Sequence, residues 1–250
     1  MKRLLYLSVI FFLAASSFSS CEKATTKGLS TMRYYPVVTM AGDASITIDQ
    51  GTSYSDAGAT AEQNGVTLDV VTSVTSLYFG YSGTTVDVNV PDVYYINYTA
   101  TNDEGFSATS SRTVTVNLTH TGDFVTSLDG FYYGRVLRTP AQGSVSPTAD
   151  LGPILVVNLG GNTYGISDGI GGYYAFGRAY GDGYLATPAT FTADIAGNVF
   201  TPGPSFGVGA FGGVATMSNI SIDPVAKQIR FTTTWDQGYV FNVTLTQIQN

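Results

Sequence analysis

The side chains that could do chemistry in this sequence are concentrated in one stretch. Tyr173, Tyr174, Phe176, Tyr180 and Tyr184 crowd a Gly-rich segment, with Asp168, Arg178 and Asp182 among them. Aromatic faces supply apolar area for stacking on sugar rings, and polar neighbours can bond hydroxyls and fix orientation. The same rings are equally what a β core or a stiffened loop uses, so both readings stay open. Trp235 lies in an alternating strand-like string and admits the same pair of readings. Catalysis is harder to assemble. His120 is the single histidine and Cys21 the single cysteine, so Ser-His-Asp, Cys-His and His-rich metal schemes lack parts. A pair of carboxylates is enough for glycoside hydrolysis, and Asp168, Asp182 and Asp236 are the candidates. Each sits beside glycine or in a turn-like string, where aspartate needs no chemistry to explain it. Asp56, Asp103 and Glu104 could meet at one end of a sandwich, but calcium takes about six to eight oxygens and no Asp-x-Asp-x-Asp-Gly run supplies them. The sequence therefore predicts no catalytic residue, no metal and no cofactor. The candidate ligand-binding set is Tyr173, Tyr174, Tyr180, Tyr184, Arg178, Asp182 and Trp235.

The elements that must position these residues are strands. Gly 29, Tyr 17 and only 12% charged residues, with Val, Thr and Ser abundant, describe a β-rich chain. From Tyr35 onward short alternating runs (SITIDQ, TVDVNV, VYYINYTATN) are broken by Gly, Asp and Asn, and no helical period is sustained. Residues 35–118 hold roughly seven such runs, enough for an antiparallel sandwich. Residues 119–250 form a second β unit. Its first run, LDGFYYGRVLRT, suggests that Phe131, Tyr133 and Val136 share a buried side. ILVVNLGGNTYGISD reads as a hairpin turning at Gly-Asn. MSNISID, KQIRFTTTWD and GYVFNVTLTQI read as a meander, and the unit closes as a sandwich or a barrel. GVGAFG (Gly207 to Gly212) satisfies a G-x-G-x-x-G string, but Pro202 and Pro204 precede it and strand-like sequence follows. A nucleotide site needs a strand before and a helix after, so the match is read as chance.

The first 34 residues give an address. Lys2 and Arg3 precede an apolar run, Leu4 to Ala15, of about a dozen residues, which suits a signal peptide and falls short of the ~20 that span a bilayer. Phe18-Ser19-Ser20-Cys21 resembles a lipobox, with Cys21 the residue that receives lipid. A lone cysteine in an exported chain has no disulfide partner, which supports that role. Residues 1–20 are thus expected to be a signal peptide, and 21–34 the lipidated cysteine and a flexible tether. Removing Lys2 and Arg3 takes the formal charge from −7 to −9, so nucleic acid is excluded as a partner on charge.

Two resemblances extend this reading. GTSYSDAGATA (Gly51 to Ala61) and VYYINYTATNDEGFSATSSRTVTV (Val93 to Val116) resemble a bacterial surface immunoglobulin-like domain, a type also found in pesticidal crystal proteins. Tyr54, Asp56, Gly58, Tyr98 and Ala100 match its pattern, Asn102 to Gly105 fits its turn, and Arg112 precedes the closing strand. One departure is SLYFGYSGTTVDVNV, longer and more aromatic than the usual link. The whole layout resembles accessory lipoproteins of Bacteroidetes, with a C-terminal unit similar to an uncharacterised domain family of those proteins. The resemblance implies an all-β, non-catalytic cell-envelope lipoprotein, anchored by lipid in the outer membrane, with the periplasmic or the surface face left open. Capture of glycan is the first function it suggests. Binding to another envelope protein, in a structural or assembly role, is the alternative, and a low-activity glycan hydrolase comes third.

Overall fold

The computed structural model describes residues 32–140 and 148–249. The expected signal peptide, Cys21 and most of the tether lie outside them. The described residues from Tyr35 onward fall in one compact unit, and it is all-β.

The N-terminal part is immunoglobulin-like. One sheet has the order β1 (Val37–Met40), β3 (Ala59–Gln63), β4 (Val66–Leu68). The other runs β2 (Ser45–Asp49), β8 (Ser107–Asn117), β7 (Asp92–Thr101), β5 (Val71–Ser76), β6 (Ser82–Gly83). Pairing is antiparallel except between β2 and β8, which run parallel. That departs from a purely antiparallel sandwich, and the long chain between the two strands is what a parallel pair requires. On β7 alternate residues are buried, with Tyr94, Ile96 and Tyr98 on the inner side. They pack with Val74, Val114 and Val116 into one apolar core.

Tyr54, Asp56, Gly58, Tyr98 and Arg112 of the immunoglobulin-like pattern meet in a single cluster around a buried arginine. Arg112 has no exposed surface. Its guanidinium pairs with Asp56 and donates to the Tyr98 hydroxyl at 2.9 Å. It also donates to the backbone carbonyls of Asp43 and Ala41. Asp56 accepts from the hydroxyls of Tyr98 at 2.7 Å and Tyr54 at 3.0 Å, and from the Gly58 N–H at 3.1 Å. A buried arginine is tolerated when its donors are filled and its charge is matched, and this one meets both conditions. Burial pushes the Asp56 carboxyl up. The tyrosine hydrogen bonds and the Arg112 charge outweigh it and hold the group below the usual carboxylate range.

The C-terminal part is one eight-stranded antiparallel sheet, nearly closed into a barrel. Its order is β13 (Val199–Pro202), β12 (Ala189–Asp194), β11 (Thr163–Ile166), β10 (Thr148–Gly160), β9 (Gly130–Thr139), β16 (Tyr239–Gln247), β15 (Gln228–Trp235), β14 (Ala215–Asp223). Phe206, just past β13, exchanges two backbone hydrogen bonds with Ala215 of β14 and draws the two edges together. The predicted hairpin joins β10 to β11 through Gly161 and Asn162. The predicted meander is β14–β15–β16.

The expected inner side of β9 needs correction. Tyr132, Gly134, Val136 and Arg138 face inward, while Phe131 and Tyr133 are 40% and 45% exposed. In a strand of period two, residues 131 and 136 fall on opposite faces, so no register buries Phe131 together with Val136.

The barrel interior is filled by chain. From Tyr164 to Ala175 every residue is buried. The packing leaves no room for a side chain at its glycines: a Cβ on Gly171 would overlap Val243 and Val136, and across from it one on Gly134 of β9 would overlap the Gly171 carbonyl. The Thr233 hydroxyl donates to the Gly169 carbonyl at 2.5 Å, inside the same space. The segment's own Tyr164, Ile166, Ile170, Tyr173 and Tyr174 join buried apolar residues of the surrounding strands in one core.

The aromatic departure from the immunoglobulin-like pattern has a visible role. Asp92 accepts from the N–H groups of Tyr78 and Phe79 at 3.0 and 3.1 Å and fixes the loop after β5. From that loop the Phe79 ring lies directly on Gly165 of β11, and Gly80 lies close to Pro188. The Thr187 hydroxyl donates to the Tyr78 carbonyl. The loop thus docks the sandwich onto the barrel.

Candidate aromatic cleft

At one end of the barrel the chain leaving the interior meets the β15–β16 hairpin. Tyr174, Tyr180, Phe211, Trp235 and Tyr239 line a cleft there of about 460 Å³, with Arg138 and Gln237 as its polar members. Their placement follows from local structure. Trp235 and Tyr239 are directly paired across the hairpin, so their rings stack at 5.7 Å. Arg138 faces inward near the end of β9, opposite Phe241. Tyr174 closes the buried insert, and Tyr180 follows it with a ring 6.2 Å away and nearly parallel.

Phe211 arrives from a 3-10 turn, Gly209–Phe211. Its centroid is 4.8 Å from both Tyr174 and Tyr184, and 6.0 Å from Trp235. That turn packs against a second 3-10 turn, Asp182–Tyr184. A Cβ on Gly209 would collide with the backbone of Gly183 and Tyr184, which is why glycine stands there. The string GVGAFG is therefore a clasp between two aromatic turns, with strands on either side and no helix after it. The Trp235 indole N–H donates to the Gly212 carbonyl at 3.1 Å and ties the clasp to β15.

The structure brings together some of the residues that the sequence singled out, and not others. Tyr174, Tyr180 and Trp235 line the cleft; Tyr180 is 52% exposed, while Tyr174 and Trp235 present only an edge. Tyr184 supports the wall through Tyr180 and Phe211. Tyr173 is turned inward against Phe241 at 5.5 Å. Arg178 donates to the Tyr173 hydroxyl at 2.9 Å and does not reach the cleft lining. Asp182 is exposed at the start of its turn, away from the lining. Arg138, Phe211, Gln237 and Tyr239 were not among the expected residues. Tyr239 was legible in the alternation of β16 and Phe211 in its aromatic type. Arg138 was hidden by the misjudged face of β9.

Of the three aspartates that could serve a hydrolase, none lines the cleft. Asp168 is fully enclosed; burial, opposed by the backbone N–H groups of Ile170, Ala186 and Gly172, leaves its carboxyl pushed up to about 7. Asp236 accepts from the Val214 N–H and the Gln237 amide, both at 3.0 Å, as turn aspartates do. His120 sits 3.0 Å from Asp129, whose second oxygen caps Asn158 N–H. Asp129 also accepts from Ser127, so its carboxylate stands between Ser and His and leaves the histidine no serine to activate. Among the described residues no group of three or more His, Cys, Asp or Glu could hold a metal ion.

The fold and cleft define an immunoglobulin-like module followed by an aromatic-lined β-barrel. A family model for "Bacterial surface protein, Ig-like domain" matches residues 38–116. A second, described as a "-like, C-terminal domain", matches residues 121–247, just over half of the chain, and the chain belongs to that family. Among solved structures, the lipoprotein BT2262 from Bacteroides thetaiotaomicron is 24% identical, with 85% of this chain and 100% of that chain covered and a TM-score of 0.45. Comparison with curated proteins finds no match. Neither family description names a catalytic activity.

Proposed function

We propose that this protein is a non-catalytic cell-envelope lipoprotein, held in the outer membrane by lipid on Cys21, whose barrel captures a saccharide in the aromatic cleft. The observation that carries the reading is the convergence of five aromatic side chains with Arg138 and Gln237 around one opening. Ring faces provide apolar area for the C–H faces of a sugar, and a few polar groups fix its orientation. The immunoglobulin-like module serves as spacer between the anchor and the barrel.

The test uses protein extracted from membranes of cells fed labelled palmitate. The label should follow the wild-type chain and vanish in Cys21→Ala, and a label that persists would rule out that anchor. The same protein is screened on a glycan array and its ligands are measured by calorimetry. Tyr180→Ala, at an exposed ring, should weaken binding by about 1 kcal/mol, roughly fivefold in Kd, without lowering the melting temperature. A blank array for the wild type would retire the saccharide reading.

One observation favours a second reading, attachment to another envelope protein. On its outer face β9 presents Phe131, Tyr133 and Leu137, each 40–47% exposed. Such a row suits a protein partner, and co-purification lost on Tyr133→Ser would support it.

A further inference from the structure

Stacking alone leaves Arg138 unexplained. The residue is 7% exposed and lines the cleft. Its guanidinium lies 4.4 Å from the Tyr239 ring centroid and 5.6 Å from that of Tyr173. Nη1 donates to the Tyr174 hydroxyl at a long 3.3 Å, and the Nε N–H is buried with no acceptor. Among the described residues no carboxylate forms an ion pair with it. The contrast with Arg112 is direct. There the same side chain, completely buried, has its charge matched by Asp56 and its donors filled by carbonyls and a hydroxyl.

Ring faces offset part of the cost of burying a guanidinium, but they leave its in-plane N–H groups without acceptors. A planar carboxylate is the acceptor that matches this fork and the charge together. With a formal charge of −7 the chain as a whole does not attract anions, so any preference for one must be local. We infer that the cleft takes a saccharide bearing a carboxylate, a sugar of the uronic acid type, whose acid group accepts from Arg138 while its ring lies against the aromatic wall. This rests on the saccharide reading given above and names the class of sugar.

The experiment measures binding of the full-length protein to oligosaccharides carrying glucuronate, galacturonate, mannuronate or sialic acid. Each is paired with its own methyl ester, and neutral and sulfated oligosaccharides are run beside them. At least one acidic member should bind about tenfold or more tighter than its ester, and that gap should close in Arg138→Gln. If esters and neutral sugars bind as well as the acids, the carboxylate inference is overturned and the saccharide reading stands. If a sulfated member exceeds every carboxylated one, the carboxylate inference is likewise overturned. If no sugar binds, both fall. Should Arg138→Gln fail to fold by circular dichroism, the acid-to-ester comparison on the wild type decides alone.

Discussion

Asp168 is sealed inside the barrel, with one oxygen accepting from the Ile170 N–H at 2.9 Å and the backbone N–H groups of Ala186 and Gly172 beside the carboxyl. Its carboxyl is raised by burial to about 7, so between the ordinary aspartate value and neutrality the folded protein holds a proton that the unfolded chain releases. Its contribution is fully present below about pH 3.8 and is lost as pH rises to about 7. The gap between those two values sets an upper bound of about 4 kcal/mol on the effect. Asp168→Asn should therefore flatten the fall in melting temperature between about pH 4.5 and 7.5 relative to wild type. Parallel slopes for the two proteins would show that Asp168 does not titrate in that window. At this scale the sequence was partly legible. Asp56 and Gly58 stood out as members of the immunoglobulin-like pattern, and the aspartate does accept the glycine N–H two residues on. The pairing of Asp56 with Arg112 was not legible, since 56 residues separate them and only the packed sandwich brings them together.

At the scale of elements, β9 shows how one position of register decides what a strand exposes. Its two faces carry Phe131, Tyr133 and Leu137 on one side and Tyr132, Val136 and Arg138 on the other. Both are apolar enough to be buried, so local pattern does not choose between them. The choice is made by the inserted segment: Gly134 is the position that lets the Gly171 carbonyl approach. Strands with clean alternation, β15 and β16 above all, were read from sequence because one of their faces is plainly polar. The insert itself was not, since a Gly-rich aromatic string looks the same whether it lies inside a barrel or over its rim. Gly171 has φ +66° and its missing Cβ faces Val243 and Val136. Gly171→Ala should thus combine overpacking with a left-handed backbone penalty, roughly 2 kcal/mol or more. A lower denaturation midpoint at unchanged m would register it, and an unshifted midpoint would show that the interior is looser than the packing implies.

For the whole molecule, the loop that departs from the immunoglobulin-like pattern joins the two cores. Those cores share no residue, and the Phe79 ring on Gly165, with Thr187 on the Tyr78 carbonyl, links them beyond the covalent chain. Removing a well-seated interface ring costs about 1–3 kcal/mol. Phe79→Ala should accelerate proteolysis at the exposed residues Thr119 to Thr121 several-fold, while each core keeps its own melting behaviour. Equal cleavage rates would mean that the loop does not hold the modules together.

The buried insert has one further consequence, for how this barrel can diversify. The polypeptide that fills its centre emerges as the wall of the cleft, so Tyr174 belongs to the interior and to the opening at once. Changes there alter recognition only by disturbing the interior, whereas Tyr180, Phe211 and Gln237 stand clear of it. Substitutions that spare the packing therefore fall at the rim, while Arg138 lies on the constrained, buried side of the cleft. Under the saccharide proposal, substitutions at Tyr180, Phe211 or Gln237 should change which sugar is preferred while leaving the melting temperature near that of the wild type. A large loss of stability would show that the rim is coupled to the interior.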